Sequence, residues 1–108
     1  MIMPTGEYML ARLHVIISSE KDNDINKVKE ALIKINPLFS ISPARPYAMI
    51  KDHSELFITF NIEQNQIQPL LDQLNNDWTG EIDSCQCYGF NTKMFDSLVY
   101  CLEFDIFN

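Results

Sequence analysis

The chain has 108 residues, 46% of them apolar and 21% charged, which is the make-up of one ordinary globular domain spanning 1–108. No apolar run approaches the ~20 residues that cross a bilayer. The net charge of −7 is unevenly spread: residues 1–51 carry +2 and residues 52–108 carry −9, with Lys93 the one Lys or Arg in the second part, so little is offered to a nucleic-acid backbone, which is bound by clustered Lys and Arg.

Tyr8–Ser18 reads as the first strand. Met9, Ala11, Leu13, Val15 and Ile17 form an unbroken apolar face, and Tyr8, Leu10, Arg12, His14 and Ile16 a mixed one. A sheet covered on one side and partly open on the other is expected. After a polar turn, Asp22 or Asn23 is placed to cap a helix. Ile25, Val28, Leu32 and Ile35 follow at steps of three and four, one stripe of that helix. Pro37 ends it near Asn36, because the residue before a proline avoids helical backbone.

Leu38–Ile50 is strand-like but holds Pro43 and Pro46, which places it at a sheet edge with irregular pairing. Tyr47–Ile50 should form a hairpin with the next strand. Glu55–Ile62 alternates most cleanly, with Leu56, Ile58, Phe60 and Ile62 on one face. Ile67, Leu70, Leu71 and Leu74 mark a second helix, started near Asn65 or Gln66 so that Pro69 falls in its first turn. Asn75–Gly80 leaves that helix. Glu81–Tyr88 is a fourth strand, a loop with Gly89 and Asn91 follows, and Leu98–Phe107 is a fifth strand.

This order predicts an α+β fold of the ferredoxin-like split βαββαβ kind, an antiparallel sheet with two helices on one face and one extra C-terminal strand. The first and third strands would be the central pair, with Glu81–Tyr88 on the other side of the first strand. The last strand would extend the sheet beyond Glu81–Tyr88.

Groups that do chemistry are sparse. Cys85, Cys87 and Cys101 are too few for a disulfide framework. As thiolates they are a candidate zinc or copper(I) site, but free cysteine more often fills a core, and no metal or cofactor is expected. His14, with Arg12 nearby, is a candidate general base opposite Glu103 or Asp105, set against the plainer role of a packed histidine. His53 lies in a turn. Gly6, Gly80 and Gly89 are too scattered for a phosphate loop, and no nucleophile motif is present. The start, Met1–Glu7, lacks the basic and apolar runs of a signal peptide, so a cytoplasmic protein is expected.

Acidity is the strongest functional signal. Asp72, Asp77, Glu81 and Asp83 cluster along the second helix, its exit and the next strand, and Glu103 and Asp105 lie on the last strand. Such a surface complements a basic protein. Trp78 is either a lid over the core or the apolar centre of that contact.

The small size, the acidity and the lack of a catalytic motif resemble the immunity proteins of bacterial contact-dependent growth inhibition and related polymorphic toxin systems. The Ile- and Asn-rich composition also resembles the product of a low-GC bacterial gene. The resemblance implies a monomeric, non-enzymatic, cytoplasmic inhibitor that occludes a basic toxin domain, such as a nuclease. It supplies no signature residues, so the contact set rests on charge: Asp72, Asp77, Trp78, Glu81, Asp83, Glu103 and Asp105. The alternatives are a small-molecule-binding regulatory module of ferredoxin-like type, or a dimeric α+β barrel enzyme that uses His14.

Overall fold

Period-two alternation in two ten-residue segments builds the centre of the molecule. The computed structural model describes residues 8–89 and 93–107; Met1–Glu7 and Asn91 lie outside them. In chain order these residues form β1 (Tyr8–Ile17), α1 (Asp22–Ile35), β2 (Ser40–Ile41), β3 (Arg45–Pro46) and β4 (Ser54–Glu63). A single 3-10 turn (Gln64–Gln66) leads into α2 (Ile67–Leu74), and β5 (Thr79–Glu81), β6 (Ser84–Tyr88) and β7 (Val99–Phe107) complete the order. One antiparallel sheet results, in the order β2–β4–β1–β7–β6–β5, with β3 also paired to β4.

β1 and β4 pair along their full length, Tyr8 opposite Glu63 and Ile17 opposite Ser54. The odd residues of β1 and the even residues of β4 enter one core with Ile25, Val28 and Leu32 of α1 and Ile67, Leu70, Leu71 and Leu74 of α2. Both helices therefore cover the same face of the sheet. Leu13, Val15, Ile17, Val28, Leu32, Ile58 and Leu74 are fully enclosed, whereas Met9, expected in the core, packs at its margin.

The edges depart from the sequence-based expectation. The proline-bearing segment does lie at the edge, but it keeps only two two-residue ladders, Ser40–Ile41 and Arg45–Pro46, on β4. Its hairpin pairing ends at Tyr47, whose N–H donates to the His53 carbonyl (2.9 Å), so 48–50 belong to the turn. Glu81–Tyr88 is not one strand. Ile82 and Asp83 turn the chain between β5 and β6, and seven strands stand where five were expected.

The placement of the last strand is also corrected. β7 lies between β1 and β6, so Glu81–Tyr88 does not pair with β1. The reason is apolar content. β7 offers nine residues, with Leu102 and Phe104 fully buried, while β6 offers five, of which Ser84, Gln86 and Tyr88 are exposed. An inner strand completes hydrogen-bond ladders on both sides and buries its face, so the longer and more apolar strand takes that place. A bulge shifts the register between Ile16 and Ile17: Cys101 opposes Ile16 and Val99 opposes Ile17, leaving Tyr100 out of the ladder. Val99 thereby enters the core, and Leu98 packs partly buried against it.

Local chemistry accounts for the remaining ends. α1 is capped at Lys21 without a side-chain bond, not by Asp22 or Asn23; Asp22 and Asp24 instead put negative charge in the first turn, against the positive end of the helix dipole. Asn36 is extended, as the residue before Pro37 must be. Gly80 has φ +117°, and a Cβ there would stand 2.6 Å from the Ser84 carbonyl oxygen, so only glycine fits this close β5–β6 approach.

Candidate functional site

The alternation that fills the core sends the other half of each central strand to the open face. Register places these side chains in rows across the sheet. Thr59, Arg12, Asp105, Ser84 and Glu81 make one row, and Phe57, His14, Glu103 and Gln86 the next. Because β7 pairs with β1, Glu103 and Asp105 stand beside His14 and Arg12. The acidic side chains of β7 therefore have two basic neighbours on β1.

His14 is the hub of this face. Its Nδ1 lies 2.7 Å from Glu103 Oε1 and its Nε2 lies 2.7 Å from Glu55 Oε1. The second oxygen of Glu55 accepts from Arg45 Nε at 2.8 Å. The ring stacks on Phe57, with centroids 4.4 Å apart and planes 8° from parallel. Carboxylates only accept, so both contacts are made together when both ring nitrogens carry protons. Burial alone would raise the pKa of Glu55, but the hydrogen bonds and charges of Arg45 and His14 outweigh it and hold the pKa below its ordinary value. The network ties β1, β3, β4 and β7 together. A general base needs one ring nitrogen free for substrate, and here both face carboxylates.

Arg12 is different. Its guanidinium carbon lies 5.3 Å from the Phe57 ring centroid and 5.0 Å from that of Phe107. Its Nε is shielded from water and has no hydrogen-bond partner. Among the described residues no carboxylate comes within 4.0 Å of it; the ion pairs found are those of His14 and Arg45.

The acidic residues singled out in the sequence gather around the β5–β6 hairpin, on its two sides. Asp72, Trp78 and Glu81 line a shallow groove of about 320 Å³, together with Gln68 and Ile82. Glu103 and Asp105 line a second groove of about 300 Å³ with Ser84 and Gln86. Gly80 and Cys85 border both. Asp77 is exposed at the α2 exit and Asp83 at the hairpin turn. Ser84 Oγ donates to Asp105 (3.1 Å) and Gln68 Nε2 to Asp72 (2.9 Å). Lys93 borders this region, its N–H donating to Asn76 Oδ1 at 3.3 Å.

Trp78 is a lid. Its Nε1–H is shared between the carbonyls of Leu71 (2.9 Å), which also accepts from the Asn75 N–H, and Asn75 (3.1 Å), at the end of α2. Its ring packs half-buried on the core and still walls the first groove.

The three cysteines do not share a face. Cys85 and Cys87 point into the core, and Cys101 points to the opposite side. Burial pushes the thiols up, Cys85 and Cys101 to about 11 and Cys87 to about 12, so they behave as small apolar side chains. Among the described residues no group of three His, Cys, Asp or Glu is placed to hold a metal ion.

Glu55 and Arg45 complete the His14 network, and the Tyr47 ring stands edge-on to the imidazole with centroids 6.1 Å apart; sequence reasoning passed over all three. Only the cross-strand register reveals Glu55, two β4 positions before Phe57, within reach of a β1 side chain. Comparison with protein-family models, with curated proteins and with solved structures finds no match.

Proposed function

We propose that this chain is a non-catalytic, immunity-type inhibitor that binds a basic protein domain at the acidic edge around the β5–β6 hairpin. The partner in this reading is a toxin nuclease met in the bacterial cytoplasm. The observation that carries it is the charge arrangement at that edge. Asp72, Asp77, Glu81 and Asp83 sit on adjoining elements, all exposed, and none has a Lys or Arg within 4.0 Å among the described residues. Like charges so gathered repel one another, and surfaces serving only solubility mix both signs. Opposed Arg and Lys side chains on a partner would relieve the repulsion, anchor through paired hydrogen bonds and speed encounter. The carboxylates would then stand where a nuclease takes the phosphates of its substrate. Glu103 and Asp105 form the outer part of this contact, round the corner on the open face.

We read the fold behind that edge as ferredoxin-like. In this reading β1, α1, the β2/β3–β4 hairpin, α2 and β7 supply the βαββαβ unit, and β5–β6 is an insertion before its last strand. That insertion carries the acidic edge, so the proposed function belongs to what has been added to the unit and not to the unit itself.

The test is co-expression with the toxin domain encoded beside the gene. The wild-type chain should restore growth, and a folded Asp72→Lys, Glu81→Lys, Asp83→Lys variant should not. Failure of the wild type to protect would remove the toxin assignment. Full protection by the triple variant would remove the acidic edge as the contact.

A further inference from the structure

We propose that the open sheet face is a self-complementary surface that binds a second copy of this chain, with Arg12 of each copy paired to Asp105 of the other. This goes beyond the acidic edge and does not rest on it.

The argument begins with two neighbouring columns. β1 presents Leu10, Arg12 and His14 to the open side, and β7 presents Phe107, Asp105 and Glu103. Position by position these are apolar with apolar, cation with anion, and imidazole with carboxylate. A two-fold axis parallel to the strands, running between β1 and β7, lays each column over the opposite column of a second copy. Every contact is then made twice, as an isologous interface requires. Two sheets can pack in this way about 10 Å apart.

Within one copy only the third pair is closed, His14 to Glu103 at 2.7 Å. Arg12 and Asp105 are nearest cross-strand neighbours yet make no ion pair. Arg12 is instead held between Phe57 and Phe107, with Nε sealed from water and unpartnered. A guanidinium in that state gains from an ionised acceptor on its outer nitrogens. Asp105 of a second copy supplies one.

Charge and area agree with this occupant. By register the open face carries Arg12, Arg45 and His14 against Glu55, Glu63, Glu81, Glu103 and Asp105, with Arg12 and His14 of β1 set directly beside the carboxylates of β7. Leu10 is 49% exposed and Phe107 42%, apolar surface that a copy would cover. Residues 8–16 of β1, 55–63 of β4, 101–107 of β7 and the whole of β6 and β5, at ~3.4 Å rise and ~4.8 Å spacing, give roughly 550 Å² per copy. The total of about 1,100 Å² just exceeds the ~1,000 Å² of a specific interface, so the dimer should be weak and salt-sensitive.

The experiment is sedimentation of the purified chain over a dilution series at low and high salt. The wild type should double in mass at high concentration and low salt and dissociate as salt rises. Arg12→Glu and Asp105→Arg, each alone, should weaken self-association by at least ~10-fold, because each sets like charges against one another. An equimolar mixture of the two should regain the doubled mass, since each variant supplies the other's complement. A cross-strand effect inside one chain would not respond to mixing. Leu10→Asp, at an exposed position, should abolish the dimer with circular dichroism unchanged, even if Arg12→Glu does not fold. A wild type that stays monomeric throughout overturns the proposal. So does a mixture of folded variants that stays monomeric, or a Leu10→Asp dimer as strong as the wild type.

Discussion

Leu13 and His14 are neighbours in the chain and lie on opposite faces of the same strand, and the two faces are held by different physics. Leu13 is fully enclosed among apolar side chains from β4, β7 and both helices. His14 is held by two carboxylate contacts and a stacked ring. Apolar burial is non-directional and scales with area, so the helix-covered face sets the fold. Directional, charge-assisted contacts add little net stability but fix which strands stand side by side. The comparison predicts large losses on the first face, smaller ones on the second, and almost none at the acidic edge.

Phe104→Ala should give the largest effect. The ring is fully buried and faces Phe60, with centroids 6.3 Å apart. Removing it should cost about 3–5 kcal/mol in a urea melt, from lost transfer energy and the cavity left behind. Leu32→Ala, on the fully buried stripe of α1, should fall in the range of about 2–5 kcal/mol. A loss near zero at either position would mean that the helix-covered face does not set the stability.

How much of this was legible in the sequence follows the same division. The alternation of β1 and β4 and the stripes of both helices could be read directly, because burial of one face imposes a period on the residues that supply it. The neighbour of β1 could not. Cys85 and Cys87 on β6 and Leu102 and Phe104 on β7 both satisfy the pattern, and only competition for the inner place decides between them. The bulge at Tyr100 was equally hidden, since Leu98–Phe107 alternates on paper without interruption. The His14–Glu103 contact was half legible, as a strand histidine with a carboxylate opposite. Glu55 was not, because its role depends on a register that periodicity leaves free.

The ion network gives the middle prediction. Glu55→Gln should cost about 1–3 kcal/mol, since Glu55 is buried and serves both His14 and Arg45. Glu103→Gln should cost less than ~1 kcal/mol, because the Glu103 side chain is 45% exposed. Equal costs would show that the network does not depend on burial, against the geometry described.

A pH series separates the two faces. The pKa of Glu55 is lowered in the folded chain, so its contribution is fully present above the ordinary value of 4.5 and is lost as pH falls through the lower folded value. The thiols of the core act at the other end. An unfolded thiol gives up its proton near 9, while Cys87 keeps its own to about 12. Between those values the unfolded chain binds fewer protons than the folded one, so stability falls as pH rises. Cys87→Ala should lose less stability than the wild type between pH 9 and 12, when each is measured against its own value at pH 8. Parallel curves would mean that the buried thiols are not the alkaline weak point.

The smallest effect should come from the acidic edge, and its sign is informative. Asp83 is exposed at the β5–β6 turn, near Glu81 and Asp105 in the sheet register, and its side chain makes no ion pair among the described residues. A surface change of this kind ordinarily lies within about 0.5 kcal/mol of zero. Asp83→Lys also removes a repelling charge from a chain of net −7, so the shift should be upward, a slight gain in the urea midpoint that fades with added salt. A structural carboxylate would show the reverse, a loss on substitution that salt does not erase. If the variant is slightly more stable and at the same time fails to protect cells from the toxin, the edge lowers stability for the sake of the contact. If it is more stable and protects in full, the charge at that turn serves neither.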